Sequence, residues 1–345
     1  MSDLNTKVVK IEENDASSVY SEAVELILKG EVVGMPTETV YGLAGNAFNE
    51  NAVKKIFEAK GRPQDNPLIV HISRFEEIYD LVSDVPDNAK KLAEKFWPGP
   101  LTMILPKSQK VPYCVTAGLS TVAVRCPSHP VANRFIKECG VPIAAPSANL
   151  SGKPSPTKAS HVYNDLKGRI PLIIDGGEAR EGVESTVIFM AGEKPELLRP
   201  GNVTLDELRN VLGEVLVDDA VLNPLKIGQT VSSPGMKYKH YSPEAEVILV
   251  KGTYENFCKF VNGKVQDGVC AMVFNGEGRG LNCEYYTYGD KNNYRSLSNR
   301  LFDCLRELDE KNVKCCYVRC PDETNDDLAV MNRLLRAAAF KVTEV

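Results

Sequence analysis

The chain has 345 residues, 43% hydrophobic and 25% charged, with 41 basic and 46 acidic side chains and a formal charge of -5. This length exceeds what one core usually covers, so two domains are expected, and the acidic balance excludes a global field for nucleic acid or anionic membrane, leaving only local RNA binding. No stretch offers the ~20 apolar residues of a membrane helix, and the start MSDLNTKVVKIEEND lacks the apolar run of a secretory signal, so a cytoplasmic location is expected.

The first 205 residues alternate short apolar runs with helical periodicity, the pattern of an α/β or α+β domain. Val19, Ala23, Val24, Ile27 and Leu28 mark one helical face, closed by Gly30. VVGM reads as a buried strand ended by Pro36, and a helix over Asn51 to Ala59 carries Val53, Ile56 and Phe57 on one side. Strands follow at LIVHI, LTMIL, TVAVR, VPIAA, LIID and STVIF, with helices near Asn88 to Phe96, Val131 to Glu138 and Lys158 to Leu166. Thr204-x-x-Glu207 forms a capping box that opens a helix to Leu212. Periodicity then fails through a Pro-, Ser- and Gly-rich connector. Beyond it, AEVILVK, Tyr254 to Val261, VCAMVF, Ser296 to Leu308, VKCCYV and Asp326 to Ala339 alternate in βα order, predicting a small doubly wound, mostly parallel domain. The expected division is 1–212, a linker over 213–244, and 245–345.

Several familiar catalytic motifs are absent: G-x-x-x-x-G-K-[ST], G-x-S-x-G and H-E-x-x-H. Gly276, Gly278 and Gly280 follow each other too closely for a dinucleotide fingerprint and read as a surface loop. The ten cysteines are scattered and read as reduced, mostly buried thiols; Cys315, Cys316 and Cys320 lack a C-x-x-C pair and read as a half-buried strand. The four histidines are dispersed, so no protein-held metal is expected.

Hydroxyl, amide and cationic side chains crowd instead at strand ends: PTETVYGL, KGRPQDNPLIVH, TVAVR, PSANLSGKPSPTK, ESTV and LRPG. Each is flanked by proline or glycine, which fixes or frees the backbone where a ligand approaches. Lys60 and Arg62 follow a helix that Pro63 stops, and would project together toward solvent or phosphates. Asn66 and His71 lie on the incoming strand, and Ser147 and Asn149 share one side of an extended backbone, offering a hydroxyl and an amide. Arg125 suits a substrate carboxylate through its planar fork, and Ser185, Thr186 and Thr39 would read a small polar amino acid. Glu38, Asp65 and Glu184 are nearby, but no acid or base stands out, so positioning and phosphate electrostatics would carry the chemistry. Magnesium held mainly by a nucleotide's own phosphates fits this shortage of ligand clusters.

These segments, together with WPGPLT, APSANLSGKPSPT, DGG, GVESTV and the connector PGMKYKHYSP, resemble the YrdC-like family in its longer two-domain form, the threonylcarbamoyl-AMP synthases. The resemblance implies a twisted mixed sheet with helices, whose concave positive face holds the site, followed by a Rossmann-like parallel α/β domain. It implies a nucleotidyltransferase: a carbamate made from L-threonine and bicarbonate attacks the α-phosphate of ATP, giving threonylcarbamoyl-AMP, pyrophosphate and water. The adenylate would pass to a downstream transferase acting on tRNA, where it becomes N6-threonylcarbamoyladenosine next to the anticodon. The family's K-x-R…S-x-N signature falls on Lys60, Arg62, Ser147 and Asn149, which the resemblance makes catalytic. It assigns Arg62, Asn66, Thr121, Ser147, Ser155, Arg199 and Tyr241 to ATP, and Thr39, His71, Arg125, Ala145 and Ser185 to threonine. It also implies that the linker covers the mouth of the site through Tyr238, His240 and Tyr241. Two rivals are a double-stranded RNA or nucleotide-binding module without turnover, using Lys237, Lys239 and His240, and the carbamoyl-transfer machinery of hydrogenase maturation, whose C-x-x-C pairs are absent here.

Overall fold

The computed structural model describes residues 4–12, 14–15, 17–223, 241–321 and 328–345. Among them, eleven short strands form one twisted, mixed sheet in the spatial order Lys7–Lys10, Leu172–Asp175, Val33–Met35, Gly42–Asn46, Ile143–Ala144, Ile69–His71, Thr121–Arg125, Leu101–Pro106, Thr186–Phe189, Glu196–Arg199 and Leu216–Val217. Three consecutive antiparallel pairs join Val33–Met35, Gly42–Asn46, Ile143–Ala144 and Ile69–His71, and parallel pairs occur on either side, as helical crossovers and direct returns both feed the sheet. One face packs a large apolar cluster that includes Val53, Ile56, Phe57, Leu92 and Leu208, supplied by the helices Glu50–Lys60, Asp87–Phe96 and Leu205–Leu212. The other face is covered by Ser17–Leu28 and Pro130–Cys139, with Tyr20, Ile27, Phe135 and Ile136 buried beneath them.

The second sheet holds five strands, Glu284–Thr287, Val269–Val273, Cys315–Arg319, Glu246–Lys251 and Val342–Glu344 in that order, and every pairing is parallel. The helices Tyr254–Asn262, Tyr294–Glu310 and Leu328–Ala337 make the crossovers, giving the α/β architecture expected. Its core runs on into the first domain, because Val40 and Val183, with Tyr241 of the connector, belong to the same apolar cluster as Leu297, Phe302 and Leu334. Arg306 and Asp303 of the Tyr294–Glu310 helix strengthen that contact: Arg306 Nη2 donates to Asp165 Oδ2 at 2.8 Å, and Asp303 accepts from Thr157 Oγ1 and Lys158 Nζ, each at 2.6 Å.

The long apolar strands and amphipathic helices fall where periodicity places them, and the capping box on Thr204 and Glu207 is formed. Strands at Lys7–Lys10, Gly42–Asn46, Glu196–Arg199, Glu284–Thr287 and Val342–Glu344 were not expected. GLAGN shows why: it lacks β-branched residues, and its glycines fit where neighbours crowd, an added Cβ at Gly42 meeting that of Ala145 at 3.2 Å. Gly276, Gly278 and Gly280 do form a loop, with φ values of 83°, 117° and 101°. No disulfide joins the ten cysteines, six of which are buried. Cys315 and Cys316 lie on a central strand, so VKCCYV is more buried than a half-exposed strand would be. No helix among the described residues is long and apolar enough to cross a membrane. The start of the predicted Asp326 to Ala339 helix, and Lys237, Tyr238, Lys239 and His240 of the linker, fall outside the described residues.

Candidate active site

The Glu50–Lys60 helix starts on Asn49, whose side chain accepts from the N–H groups of Asn51 and Ala52 at 3.0 and 3.2 Å. It ends on Gly61 at φ 60°, with the N–H of Gly61 bonded to Glu58 O and that of Arg62 to Phe57 O. Only glycine takes this left-handed turn cheaply. The turn sends Lys60 and Arg62 in different directions. Lys60 is 3% exposed, and its Nζ donates to Ser147 O at 2.5 Å, Asn149 O at 2.8 Å and Asn149 Oδ1 at 3.3 Å. Arg62 stays half-buried, with Cζ 5.8 Å from the Phe57 ring centre.

The loop after Ile143–Ala144 is organised by that lysine and by itself. Ser147 Oγ donates to Asn149 Oδ1 at 2.6 Å, and Asn149 Nδ2 donates to Leu150 O and Lys153 O at 2.7 and 2.9 Å. Gly42 bridges to Ser147, and Ala148 N–H bonds to Tyr41 O at 2.8 Å, tying this loop to the PTETVYGL segment.

Register sets the other half of the site. His71 and Arg125 are partners on adjacent parallel strands, and Arg125 also opposes Thr102 on the antiparallel side. Arg125 is buried; its Nη2 pairs with Glu38 Oε1 at 2.7 Å, Nη1 donates to Thr39 Oγ1 at 2.9 Å and Nε to Gly99 O at 3.3 Å. Of its five N–H donors, three are thereby used. Thr102 and Ser185 hydroxyls meet at 2.7 Å, and Arg199 donates from Nε to Ser185 O and from Nη2 to Ser185 Oγ at 3.0 and 3.1 Å. Gly201 lets LRPG pass this close, since a Cβ there would lie 2.4 Å from Thr186 N.

Most of these side chains open on one cavity of about 730 Å³, mouth included, while Glu38 and Thr102 stand behind its wall. Thr39, Lys60, Arg62, His71, Arg125, Ala145, Ser147, Asn149, Ser185, Arg199 and Tyr241 line it, with Glu184. Asn66, Ser155 and Thr121 are not in the lining. Asn66 adjoins the lining residue Pro67, is 1% exposed, and has no partner for either amide atom. Ser155 sits behind the wall and donates to Glu184 Oε1, and Thr121 starts the Thr121–Arg125 strand, paired with Pro106.

The charges are shaped by burial. Glu38 and Glu184 would be pushed up by burial, but attraction to Arg125 in one case, and to Arg333 and Arg199 in the other, holds each carboxyl below the ordinary range. Burial, then Arg62, drives Lys60 well below the usual lysine range. Among the described residues, no three His, Cys, Asp or Glu groups come together as metal ligands.

Residues 25–201 match the Sua5/YciO/YrdC family model, described as telomere recombination, and residues 203–339 match the model for the threonylcarbamoyl-AMP synthase C-terminal domain. The chain belongs to this family. It is 45% identical to the threonylcarbamoyl-AMP synthase of Pyrococcus abyssi, over 99% of this chain and all of the other, and 46% identical to that of Bacillus subtilis, over 93% of each. A crystal structure of P. abyssi Sua5 complexed with L-threonine superposes with a TM-score of 0.92 at 44% identity, covering 98% of this chain and 99% of that one.

Three residues in or behind the cavity wall are not assigned from sequence. Thr102 is hidden in the apolar run LTMIL, although strand alternation puts it beside Arg125; Glu38 and Glu184 were noticed only as neighbours, because nothing local shows which cation neutralises a carboxylate.

The buried imidazoles make stability fall in acid. His71 is pushed down to about 3 by burial and then by Arg125, and His161, at the domain contact, to about 4 by burial and then by Arg306. Both are neutral when folded but take a proton near 6.5 when unfolded, so the stability they contribute is complete above 6.5 and is lost as pH falls toward 4 and then 3. The limiting slope is about 1.4 kcal/mol per pH unit for each imidazole. Glu38, Glu184 and Asp303, all held low, lose their contributions in the same direction at lower pH. The melting temperature should be level above about pH 7 and fall steadily below 6.5; a rise on acidification would contradict the assignment of neutral histidines.

Proposed function

We propose that this chain adenylylates a carbamate: L-threonine, bicarbonate and ATP give threonylcarbamoyl-AMP, pyrophosphate and water, the first step toward N6-threonylcarbamoyladenosine in tRNA. The observation that carries this reading is that two sets of side chains, from five separate segments, meet at one cavity. One set, Arg62, Ser147 and Asn149 with Asn66 beside them, suits phosphates and a nucleotide; the other, Arg125, Thr39, His71 and Ser185 over Ala145, suits a small hydroxy amino acid. The threonine bound by the P. abyssi relative supports the second set.

Arg125 has two N–H donors left for the substrate carboxylate, and it is pinned on three sides, so little ordering remains when threonine binds. Neutral His71, with Nδ1 lacking a partner, can take part in a hydrogen bond to the threonine hydroxyl without adding charge. Ala145 leaves room for a methyl group. Arg62, with Ser147, holds the triphosphate, so that a carbamate oxygen meets the α-phosphorus in line as the bond to the β-phosphate breaks and pyrophosphate leaves. Lys60 acts through the Ser147–Asn149 loop it organises. Ser155 and Arg199 order the wall through Glu184 and Ser185, and Tyr241 closes one side of the nucleotide space.

Glu38 and Glu184 are taken by arginines, and no three His, Cys, Asp or Glu side chains among the described residues come together, so the residues present do not form a protein cage for magnesium; the ion would enter on the phosphates of ATP and supply charge neutralisation there. The adenylate, a mixed anhydride that water destroys, must then be consumed by a transferase acting on tRNA, in the cytoplasm. With ATP, magnesium and bicarbonate, pyrophosphate should appear with threonine and far less with serine or valine. Equal release with every amino acid, or none with threonine, would remove the proposal.

A further inference from the structure

One side chain of the second domain reaches the wall of the cavity. Arg333, on the Leu328–Ala337 helix, is 0% exposed; its Nε donates to Glu184 Oε2 at 2.7 Å and its Nη1 to Pro200 O at 3.0 Å. The ring centre of Tyr241 lies 5.4 Å from its Cζ. Glu184 uses its other oxygen to accept from Ser155 Oγ. Among the described lining residues Glu184 is the one carboxylate, beside Lys60, Arg62, Arg125 and Arg199.

A bare carboxylate is a poor neighbour for a triphosphate and a carboxylate substrate. A buried charge that loses its partner is strongly unfavourable, and in a site of low dielectric its repulsion reaches well beyond contact distance. We propose that Arg333 is a positioning residue of the adenylate-forming site: it cancels the charge of Glu184, which then serves as a fixed acceptor for Ser155 rather than as an anion opposing the substrates. The second domain thus completes the electrostatics of the first domain's cavity. This inference rests on the adenylate-forming reading.

The groups facing Glu184 are Arg333 from the second domain, Arg199 and Ser155 from the first, Tyr241 at the end of the linker and, further off, Lys60. Without Arg333, burial would raise the carboxyl, and a proton would do in mild acid what the arginine does at neutral pH.

The test uses the full chain as Arg333→Met, Glu184→Gln, the double variant and Arg333→Lys, with ATP binding measured without threonine and pyrophosphate release measured at pH 6 and pH 8. In Arg333→Met the KM and Kd for ATP should rise on the order of 30-fold at pH 8, with a smaller change in kcat. The defect should shrink at pH 6, and adding Glu184→Gln should recover most of the lost affinity. A defect equal at both pH values and unrelieved in the double variant would overturn the proposal, as would unchanged ATP affinity. If Arg333→Met does not fold, Arg333→Lys decides: affinity within about threefold of wild type supports the charge role, and a folded lysine variant as weak as expected for methionine overturns it. Should wild type release no pyrophosphate, the adenylate reading fails, while ATP binding still tests the charge role.

Discussion

Arg62→Ala is expected to lower kcat/KM by roughly 10²- to 10³-fold while the melting temperature stays within about 2 °C of wild type. The side chain leaves its helix through the left-handed Gly61, so its position is set by the helix end and not by packing in the core. Its stacking on Phe57 is worth only about 0.5 to 1 kcal/mol at a half-exposed site. Its role toward phosphates is larger: a planar cation held over the space next to Ser147 needs no reorganisation as charge shifts to the leaving pyrophosphate. Steady-state kinetics with ATP varied, alongside a thermal melt, check both halves. Full activity would remove Arg62 from the site; a large loss of stability would make it a structural residue.

Lys60→Met should fail differently. Methionine matches the length of the stem but takes the lysine donor from the backbone carbonyls of Ser147 and Asn149 in a buried place, leaving Asn149 Oδ1 only its bond from Ser147 Oγ. Two buried carbonyls left unpaired cost about 2 to 6 kcal/mol together, or roughly 10 °C in the melting temperature of a domain this size. Activity should vanish together with the order of the Ser147–Asn149 loop. Amide exchange of residues 147–153 would report that loosening directly. A variant with wild-type stability and lost activity would show instead that the ammonium serves the substrate and not the loop.

These two residues also show what was legible in the sequence. Proline and glycine around KGRPQDNPLIVH marked a cationic strand approach, and the marking was sound, but two cations one residue apart looked alike until Gly61 turned them to different partners. The longer strands announced themselves by apolar runs. Gly42–Asn46 did not, because tertiary crowding around small residues, not propensity, makes it a strand; the run VPIAA did, although only Ile143–Ala144 of it pairs. Arg333 was illegible for a related reason: in the sequence it is one more arginine of an amphipathic helix, and only the docking of that helix on Glu184 buries it. The hydroxyls of Thr102 and Ser185 meet across 83 residues of chain, a distance over which no local pattern speaks.

Reaction of threonine, bicarbonate and ATP in a single cavity can be followed through the carbon atom that bicarbonate contributes. With radiolabelled bicarbonate, the label should enter an ultraviolet-absorbing adenylate in step with pyrophosphate release, only when threonine and ATP are both present, and should be lost to water over time. Pyrophosphate formed without label in the nucleotide, or label bound without any pyrophosphate, would contradict the account.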